Sequence, residues 1–260
     1  MRELRVADHL GHDTLTSLVE GKLDLIRCRA YCPPEDYATV RPRIHAACDA
    51  STYTLTDDLQ CVGVSIGEAN ESAVKAAEYL ERAAGTTEFI RHHLFGGVTS
   101  PGDRFLAELD ALWPAGAEVA RSGGVPVLQN VIRRWVSGGQ ANPHIDQRGC
   151  PLLGDYTFRK RLGVNVYLEM PPEGQGGDLE LWDVLIEDEA RYLSERRPDY
   201  GLNREDLAVP DWVVHPGDGD LFVFDAARLH AVRGLSGGRR VTMACFVGVR
   251  GSEEPLVLFA

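Results

Sequence analysis

The chain has 260 residues, of which 44% are hydrophobic and 25% are charged. These fractions are typical of globular proteins and exclude a chain that is disordered throughout. The net charge of −12 argues against nucleic acid as a partner, because binding along a phosphate backbone needs a basic stripe. No run of about 18 apolar residues is present, so we expect no membrane partner.

The six cysteines are scattered, and no two of them form a Cys-x-x-Cys pair. A chain of this length does not read as a disulfide scaffold. The opening residues also lack the basic and then apolar pattern of a secretion signal. We therefore expect a reduced, cytoplasmic protein. A homodimer stays open, because nothing in the sequence fixes the oligomeric state.

The first 120 residues alternate between short apolar runs and helical patterns. A strand is predicted at 22–32, and helices are predicted at 33–50, 68–85 and 103–114. Prolines and acids open the first helix, Gly85 is expected to end the second, and Pro114 is expected to end the third. We interpret 1–120 as a mixed helix and strand support within a single domain, 1–260.

From about residue 121 the pattern changes to short strands separated by Gly and Pro turns. Strands are predicted at 125–136, 161–170, 177–183, 211–216, 220–225 and 239–250. Few helices lie between them, so the pattern favours a mainly β fold with flanking helices, and 121–260 is predicted to be a jelly-roll or cupin-like barrel. The charged segment 184–210 is predicted to be an insertion, either a solvated surface excursion or a lid.

The segment "ANPHIDQRG" contains His144 and Asp146, two residues apart. On an extended segment such residues share a face, so both side chains are expected to point into the barrel. A His-x-Asp triplet alone is common, and a third ligand must come from another strand. His230 is the best partner, because it begins a strand directly after the alternating run "DLFVFD". Two histidines and one carboxylate are the ligand set of non-haem Fe(II) oxygenases.

The strand "RVTMACFVGV" places Arg240 and Thr242 on one face. A guanidinium forms a bidentate fork to a carboxylate, and a hydroxyl two residues further along can bond to the same group. The pair is predicted to hold the distal carboxylate of a 2-oxo dicarboxylate whose other end chelates the metal. Arg239 is expected to face outward, although a shift of one residue would exchange the two arginines.

The order His-x-Asp, His and Arg-x-Thr resembles the signature of the Fe(II)/2-oxoglutarate-dependent dioxygenases. The stretches "RLGVNVYLEMPPEGQGGDLELWD" and "GDLFVFDAARLHAVRGLSGGRRVTMACFVG" resemble the small bacterial branch that hydroxylates or chlorinates free or N-acylated amino acids. The resemblance implies a double-stranded β-helix barrel. It also implies that His144, Asp146 and His230 bind Fe(II), and that Arg240 and Thr242 bind 2-oxoglutarate.

The same resemblance implies the reaction. With 2-oxoglutarate and O2 as co-substrates, an aliphatic C–H of a small amino-acid-like metabolite is hydroxylated, and succinate and CO2 are released. Halogenases of this branch replace the carboxylate ligand by a small residue that leaves room for chloride. Asp146 retains the carboxylate, so hydroxylation or desaturation is expected. Asn165 in "GVNVYL" is implied as a further 2-oxoglutarate contact, with a role in the strand ladder left open.

The substrate contacts follow less directly from the sequence. Arg91, Arg133 and Arg148 are candidates for binding a substrate carboxylate, with surface salt bridges as the alternative. Trp182 and Phe246 are candidates for an apolar wall, with core packing as the alternative.

Three other functions remain open. A cupin-like metalloenzyme that does not use 2-oxoglutarate would leave Arg240 and Thr242 without a role. A peptidyl hydroxylase would need a long open groove. A barrel that only binds a ligand is disfavoured by the complete set of three metal ligands.

Overall fold

A computed structural model describes residues 2–51, 58–69, 72–146, 150–198 and 200–260. The α-helices are α1 (His12–Val19), α2 (Pro34–Tyr37), α3 (Arg41–Asp49), α4 (Ile66–Ala69), α5 (Ala73–Glu88), α6 (Pro101–Leu112) and α7 (Glu189–Glu195). The strands are β1 (Val6–Ala7), β2 (Leu25–Cys28), β3 (Leu59–Val62), β4 (Ala117–Val119), β5 (Arg121–Ser122), β6 (Val125–Pro126), β7 (Val131–Trp135), β8 (Ala141–His144), β9 (Lys160–Glu169), β10 (Leu179–Leu185), β11 (Trp212–Val214), β12 (Leu221–Asp225), β13 (Arg228–Val232), β14 (Arg240–Val249) and β15 (Leu256–Phe259). No helix in the described ranges has both the length and the apolar character to cross a membrane.

The helix predicted at 68–85 does not end at Gly85. Helix α5 runs to Glu88 and continues as a π-helix over Phe89–Leu94. Gly85 is absent from the residues with positive φ, so it does not adopt the left-handed conformation of a helix stop. Burial of Ile90 and Leu94 favours continuation of the helix, and this packing outweighs the weak intrinsic preference of one glycine.

Two other predicted elements are divided. The helix expected at 33–50 forms the separate helices α2 and α3. The strand expected at 125–136 is only β6 and β7, because the intervening backbone bonds elsewhere: the N–H of Val127 donates to the carbonyl of Ala120 at 2.9 Å, and the N–H of Leu128 donates to the hydroxyl of Tyr79 at 3.0 Å. Val127 and Leu128 therefore pair with no strand and instead pack in the main hydrophobic core.

The larger sheet is built around β14. Strand β9 pairs with one edge of β14 along almost its whole length, and the sheet continues through β12, β2 and β1. The other edge of β14 pairs first with β7 and then with β15, and these strands are extended by β3 and β4. Because β14 is ten residues long, it serves two sets of neighbours in succession.

The two faces of this sheet have different neighbours. One face carries Ile132, Val164 and Met243 and belongs to the main core, which includes Leu18 of α1 and Phe105 of α6. On the opposite face, a smaller cluster joins the larger sheet to β10 of the second sheet; it contains Leu25, Tyr167, Leu179, Leu181, Phe222 and Phe224. The helices therefore support one face and leave the other to the second sheet.

The second sheet has the order β11-β10-β13-β8, which makes β8 an edge strand. Its outward side chains Trp182 and Leu229 are covered by Tyr192 and Leu202 of the segment 184–210. Arg204 of this segment forms an ion pair with the buried Glu180. The insertion is thus packed onto the outer face of the smaller sheet. The protein as a whole is sheet-rich with flanking helices.

Candidate active site

His144 and His230 face each other across two neighbouring strands. They are register partners in the antiparallel pair β8 and β13, and their ring centroids lie 4.1 Å apart. The Nδ1 of His144 lies 2.7 Å from the carbonyl oxygen of Asn142, and the Nδ1 of His230 lies 2.8 Å from that of Arg228. A carbonyl only accepts, so each Nδ1 carries the proton. Each Nε2 is therefore the atom suited to ligate a metal.

Asp146 completes the cluster from just beyond β8. Its N–H donates to the carbonyl of Ala226 at 2.8 Å, and its carbonyl accepts from Nη1 of Arg161 at 2.9 Å. Its Oδ1 lies 3.8 Å from Nε2 of His144, and its Oδ2 lies 3.3 Å from Nε2 of His230. The donor atoms of these three residues all lie within 4.8 Å of one another, which is close enough for one ion.

The electrostatics of the cluster keep Asp146 ionised. Burial by itself raises the pKa of this carboxyl group. The contacts of the carboxylate with His230 and His144 and the nearby charge of Arg133 outweigh burial and hold the pKa well below its usual range. The site therefore offers one anionic oxygen and two imidazole nitrogens.

Arg240 is buried at the start of β14, with only 4% of its surface exposed. Its Nε has no hydrogen-bond partner, and no ion pair to it is found in the described part of the chain. Burial lowers the pKa of this guanidinium, which means that the surroundings penalise its charge. A buried cation of this kind is costly unless an anion joins it.

The neighbours of Arg240 are polar groups on the same face of the sheet. Thr242, two residues along β14, is 1% exposed and is the register partner of Tyr167 on β9. The hydroxyl of Tyr167 is also buried, and the Tyr167 ring lies beside the Arg240 guanidinium. Asn165 stands opposite Ala244, one step further along the pair of strands. The adjacent Arg239, by contrast, is exposed.

A cavity joins this face of β14 to the histidine and aspartate cluster. Its lining includes Asp146, Arg133, Asn165, Ala244 and Phe246. Two of the residues predicted to contact a substrate, Arg133 and Phe246, are therefore brought to the same cavity as one of the predicted metal ligands.

The structure does not bring the other predicted substrate residues to this cavity. Arg91 on the π-helix donates two hydrogen bonds to Asp103, at 2.9 and 2.7 Å. Trp182 packs in the hydrophobic cluster under the insertion, and its Nε1 donates to the carbonyl of Ala208 at 2.8 Å. Arg148 lies outside the described residues.

Two residues at the site were missed by sequence reasoning. Arg161 supports the backbone of Asp146, and its Cζ lies 5.7 Å from the ring centroid of Phe246. Strand alternation was the available signal, since Arg161 shares a face of β9 with Asn165. Tyr200 lies with its ring centroid 4.8 Å from that of His144. No local pattern announces this contact, because it depends on the path of the insertion.

Comparisons with known proteins place this geometry in context. No family model matches the chain. The chain is 30% identical over 171 residues to L-gamma-glutamyl-L-propargylglycine hydroxylase of Streptantibioticus cattleyicolor, and the match covers 63% of this chain and 61% of the relative. The chain thus matches less than two thirds of that relative's length.

Two solved structures have similar folds. An N-substituted L-amino acid dioxygenase from Burkholderia ambifaria, in complex with alpha-KG, has a TM-score of 0.64 at 18% identity, over 95% of this chain and 90% of its own. HygX from Streptomyces hygroscopicus, with nickel and 2-oxoglutarate bound, has a TM-score of 0.52 at 13% identity, over 93% of this chain and 88% of its own. The chain therefore shares the fold of these two solved structures. At the level of the fold, the resemblance stated from the sequence is confirmed. Within this fold, Arg240 begins a strand of the larger sheet, whereas His144 and His230 lie on neighbouring strands of the second sheet.

Proposed function

We propose that this protein is an Fe(II)- and 2-oxoglutarate-dependent oxygenase that hydroxylates an aliphatic C–H of a small amino-acid-like molecule, with release of succinate and CO2. One observation carries the proposal. Arg240 is buried, its Nε has no partner, and the face of β14 that it begins leads to the cavity beside Asp146. A metal cluster alone would fit many enzymes. A metal cluster with a buried, uncompensated cation fits an anionic co-substrate.

The ligand set supports Fe(II) as the metal. His144, Asp146 and His230 would hold the ion as two imidazoles and one carboxylate, a set that leaves positions open for co-substrates. Bound Fe(II), together with 2-oxoglutarate and O2, supplies the oxidising power that a C–H bond requires. The protein orients the ligands: backbone carbonyls fix both imidazole rings through Nδ1.

Arg240 and Thr242 would bind the distal carboxylate of 2-oxoglutarate. The carboxylate would supply the anion that the buried guanidinium lacks, and the Thr242 hydroxyl would donate to the same group. The Tyr167 hydroxyl is suited to donate as well, because Tyr167 is buried beside Arg240. Asn165 is proposed as a further contact from the neighbouring strand. A metalloenzyme that does not use 2-oxoglutarate would leave the Arg240 charge uncompensated, which disfavours that alternative.

The substrate class is supported by the names of two similar proteins. One is a hydroxylase of L-gamma-glutamyl-L-propargylglycine, and the other is a dioxygenase of N-substituted L-amino acids. Both names describe small amino-acid derivatives. We propose Arg133 as a binding group for a substrate carboxylate and Phe246 as an apolar wall, since both line the cavity beside Asp146.

The retained carboxylate of Asp146 supports transfer of oxygen rather than chloride. The lowered pKa of Asp146 favours its anionic form, the form in which a carboxylate would bind the metal. It would occupy the position that an incoming halide needs. Hydroxylation is therefore the proposed outcome.

Further properties belong to the same proposal. We propose that the two sheets are the halves of a double-stranded β-helix, in a single domain 1–260 in which 1–120 supports the core 121–260. A cytoplasmic location is supported by the cysteines, none of which forms a disulfide in the described structure. A homodimer stays a prediction.

One experiment tests the function directly. Adding 2-oxoglutarate to the Fe(II)-loaded protein without oxygen should produce a charge-transfer band. Oxygen and a panel of free, N-acetylated and gamma-glutamyl amino acids are then added, and succinate and product masses are measured. We expect succinate that depends on one class of substrate and a product 16 mass units heavier (about one oxygen atom). The absence of both the band and succinate would contradict the proposal.

A further inference from the structure

The end of the insertion forms a short strap, residues 200–202, along the free edge of β8. The side-chain amide of Asn142 donates to the carbonyl of Tyr200 at 3.2 Å. The N–H of Leu202 donates to the carbonyl of Pro143 at 2.6 Å. These bonds attach the strap to the two residues that directly precede His144. The segment thus reaches the strand that carries a predicted metal ligand.

Tyr200 extends from this strap over the imidazole of His144. The two ring centroids are 4.8 Å apart, with an interplanar angle of 48°. His144 is 6% exposed, whereas Tyr200 is 37% exposed. The tyrosine ring therefore lies between a buried ligand and solvent. Tyr200 therefore lies directly beside one of the predicted metal ligands.

Gly201 makes this close approach possible. It has a φ of +70°, a backbone conformation that residues other than glycine rarely adopt. A Cβ at this position would lie 2.7 Å from the carbonyl oxygen of Pro143 and 2.8 Å from Cβ of Asn142. Any larger residue would push the strap away from β8, and Tyr200 away from His144 with it.

The strap is anchored through the residues that follow Tyr200. The carbonyl of Gly201 accepts from the N–H of Arg197 at 2.8 Å. Leu202 is buried in the cluster under the insertion, and Arg204 forms the ion pair with Glu180. These contacts hold the backbone that follows Tyr200 against the second sheet.

We propose that Tyr200 contacts the substrate beside the metal and determines which substrate side chains are accepted. The inference rests on the proposed function and names a specificity residue for it. An aromatic ring gives a large, rigid apolar face at little entropic cost, and its hydroxyl gives a polar tip. Such a surface suits the apolar side chain of an N-acylated or gamma-glutamyl amino acid, with its flanking amide.

The test compares three variants with the wild type. Tyr200→Ala removes the ring, Tyr200→Phe removes only the hydroxyl, and Gly201→Ala displaces the ring while keeping it. Val209→Ala is the matched control, because Val209 lies on the same insertion and is 79% exposed. The probes are L-gamma-glutamyl-L-propargylglycine, N-acetyl-L-leucine and N-acetyl-L-norvaline. Product and succinate are measured separately for each, as are the KM for the probe and the KM for 2-oxoglutarate.

We expect Tyr200→Ala and Gly201→Ala to raise the KM for the best probe about tenfold, the value of one well-packed aromatic contact. The KM for 2-oxoglutarate should change less than about twofold, since Arg240 is untouched. The amount of product formed per succinate should fall, because 2-oxoglutarate is then consumed without hydroxylation of a badly placed substrate. Tyr200→Phe should retain most of the probe affinity, and Val209→Ala should behave as the wild type.

Two results would overturn the inference alone. One is a wild-type KM for the probe, with unchanged product per succinate, in Tyr200→Ala. The other is a loss of Ni(II) affinity in that variant without any change in the KM for the probe, which would mean that the ring only shields His144. If Gly201→Ala fails to fold, Tyr200→Leu replaces it as the second variant. Wild-type protein that forms no succinate with any probe would overturn the proposed function, and this inference with it.

Discussion

The Cζ of Arg240 lies 5.1 Å from the ring centroid of Tyr167, both side chains are buried, and no carboxylate in the described part of the chain balances the Arg240 charge. Two buried donors side by side call for a shared acceptor. A carboxylate supplies enough lone pairs for both and for Thr242. The free protein would therefore bear a cost that the proposed carboxylate of 2-oxoglutarate would remove.

Replacing Arg240 by methionine should separate stability from co-substrate binding. An uncompensated buried charge destabilises the free protein, so Arg240→Met should raise its Tm by a few degrees, because about 1 kcal/mol corresponds to about 3 °C in a chain of this size. Added 2-oxoglutarate, with Ni(II) as an inert metal, should raise the wild-type Tm but not that of the variant. Thermal scans with and without 2-oxoglutarate measure both effects.

Arg239→Met is the matched control, since Arg239 is the exposed neighbour of Arg240 on the same chain segment. This variant should keep the wild-type response to 2-oxoglutarate. If Arg239→Met loses the response and Arg240→Met keeps it, the assignment of the co-substrate arginine is wrong.

Removing one imidazole should abolish tight metal binding. His144→Ala leaves one histidine and one carboxylate, and the loss of Ni(II) affinity should exceed about a hundredfold, the upper range for residues that only orient a ligand. Equilibrium dialysis measures the affinity. His215→Ala is the control, because His215 lies outside the cluster: its Nδ1 is 2.7 Å from Oδ1 of Asp178 instead. Equal losses in the two variants would contradict the assignment.

Asp146→Gly should remove the carboxylate ligand and leave a coordination position that an added anion can occupy. We expect Ni(II) affinity to fall and to be partly restored by chloride, because a halide can occupy the vacated position. Perchlorate, which is a poor ligand, should have no such effect. Dialysis at matched ionic strength in the two salts compares them. A response of the wild type to chloride as large as that of the variant would count against Asp146 as the third ligand.

The grouping of the candidate metal and co-substrate residues could be predicted because most of their spacing is local. His144 and Asp146 are two apart on an extended segment, and Arg240 and Thr242 share a strand face, so alternation suffices. His230 required the further assumption that a ligand from a different strand lies close to His144, and the register pairing of His144 with His230 agrees with it.

The rest of the site depends on contacts distant in sequence. Tyr200 reaches His144 only because Gly201 fits against β8, and no pattern within 184–210 indicates that path. Strand β8 itself was not among the predicted strands, since "ANPH" contains a proline. An edge strand tolerates proline because one side of it makes no ladder bonds, and β8 is such an edge.

The buried ion pair between Asp24 and Arg228 should give the protein a measurable dependence of stability on pH. The Oδ1 of Asp24 accepts a hydrogen bond from Nη2 of Arg228 at 2.8 Å, and the same carboxylate accepts hydrogen bonds from Arg2 and Arg5. Burial raises the pKa of Asp24, but these hydrogen bonds outweigh burial and hold the pKa far below its usual range. A carboxyl whose folded pKa is depressed stabilises the protein above its unfolded pKa, about 3.9, and this contribution is lost as pH falls through the folded value.

Asp24→Asn should therefore lower the free energy of unfolding by about 3 kcal/mol near neutral pH, because it leaves a buried arginine without its main partner. The difference from the wild type should shrink when urea unfolding is repeated between about pH 7 and about pH 3. Asp183→Asn is the control: Asp183 contacts the same Arg228 at 3.3 Å but is itself much more exposed, so its loss should cost less than about 1 kcal/mol. A difference for Asp24→Asn that stays constant across this range would show that the charge of Asp24 is not the cause.

The Asp24→Asn variant should also weaken Ni(II) binding, because the backbone carbonyl of Arg228 accepts the Nδ1 proton of His230. Asp183→Asn should leave Ni(II) binding unchanged.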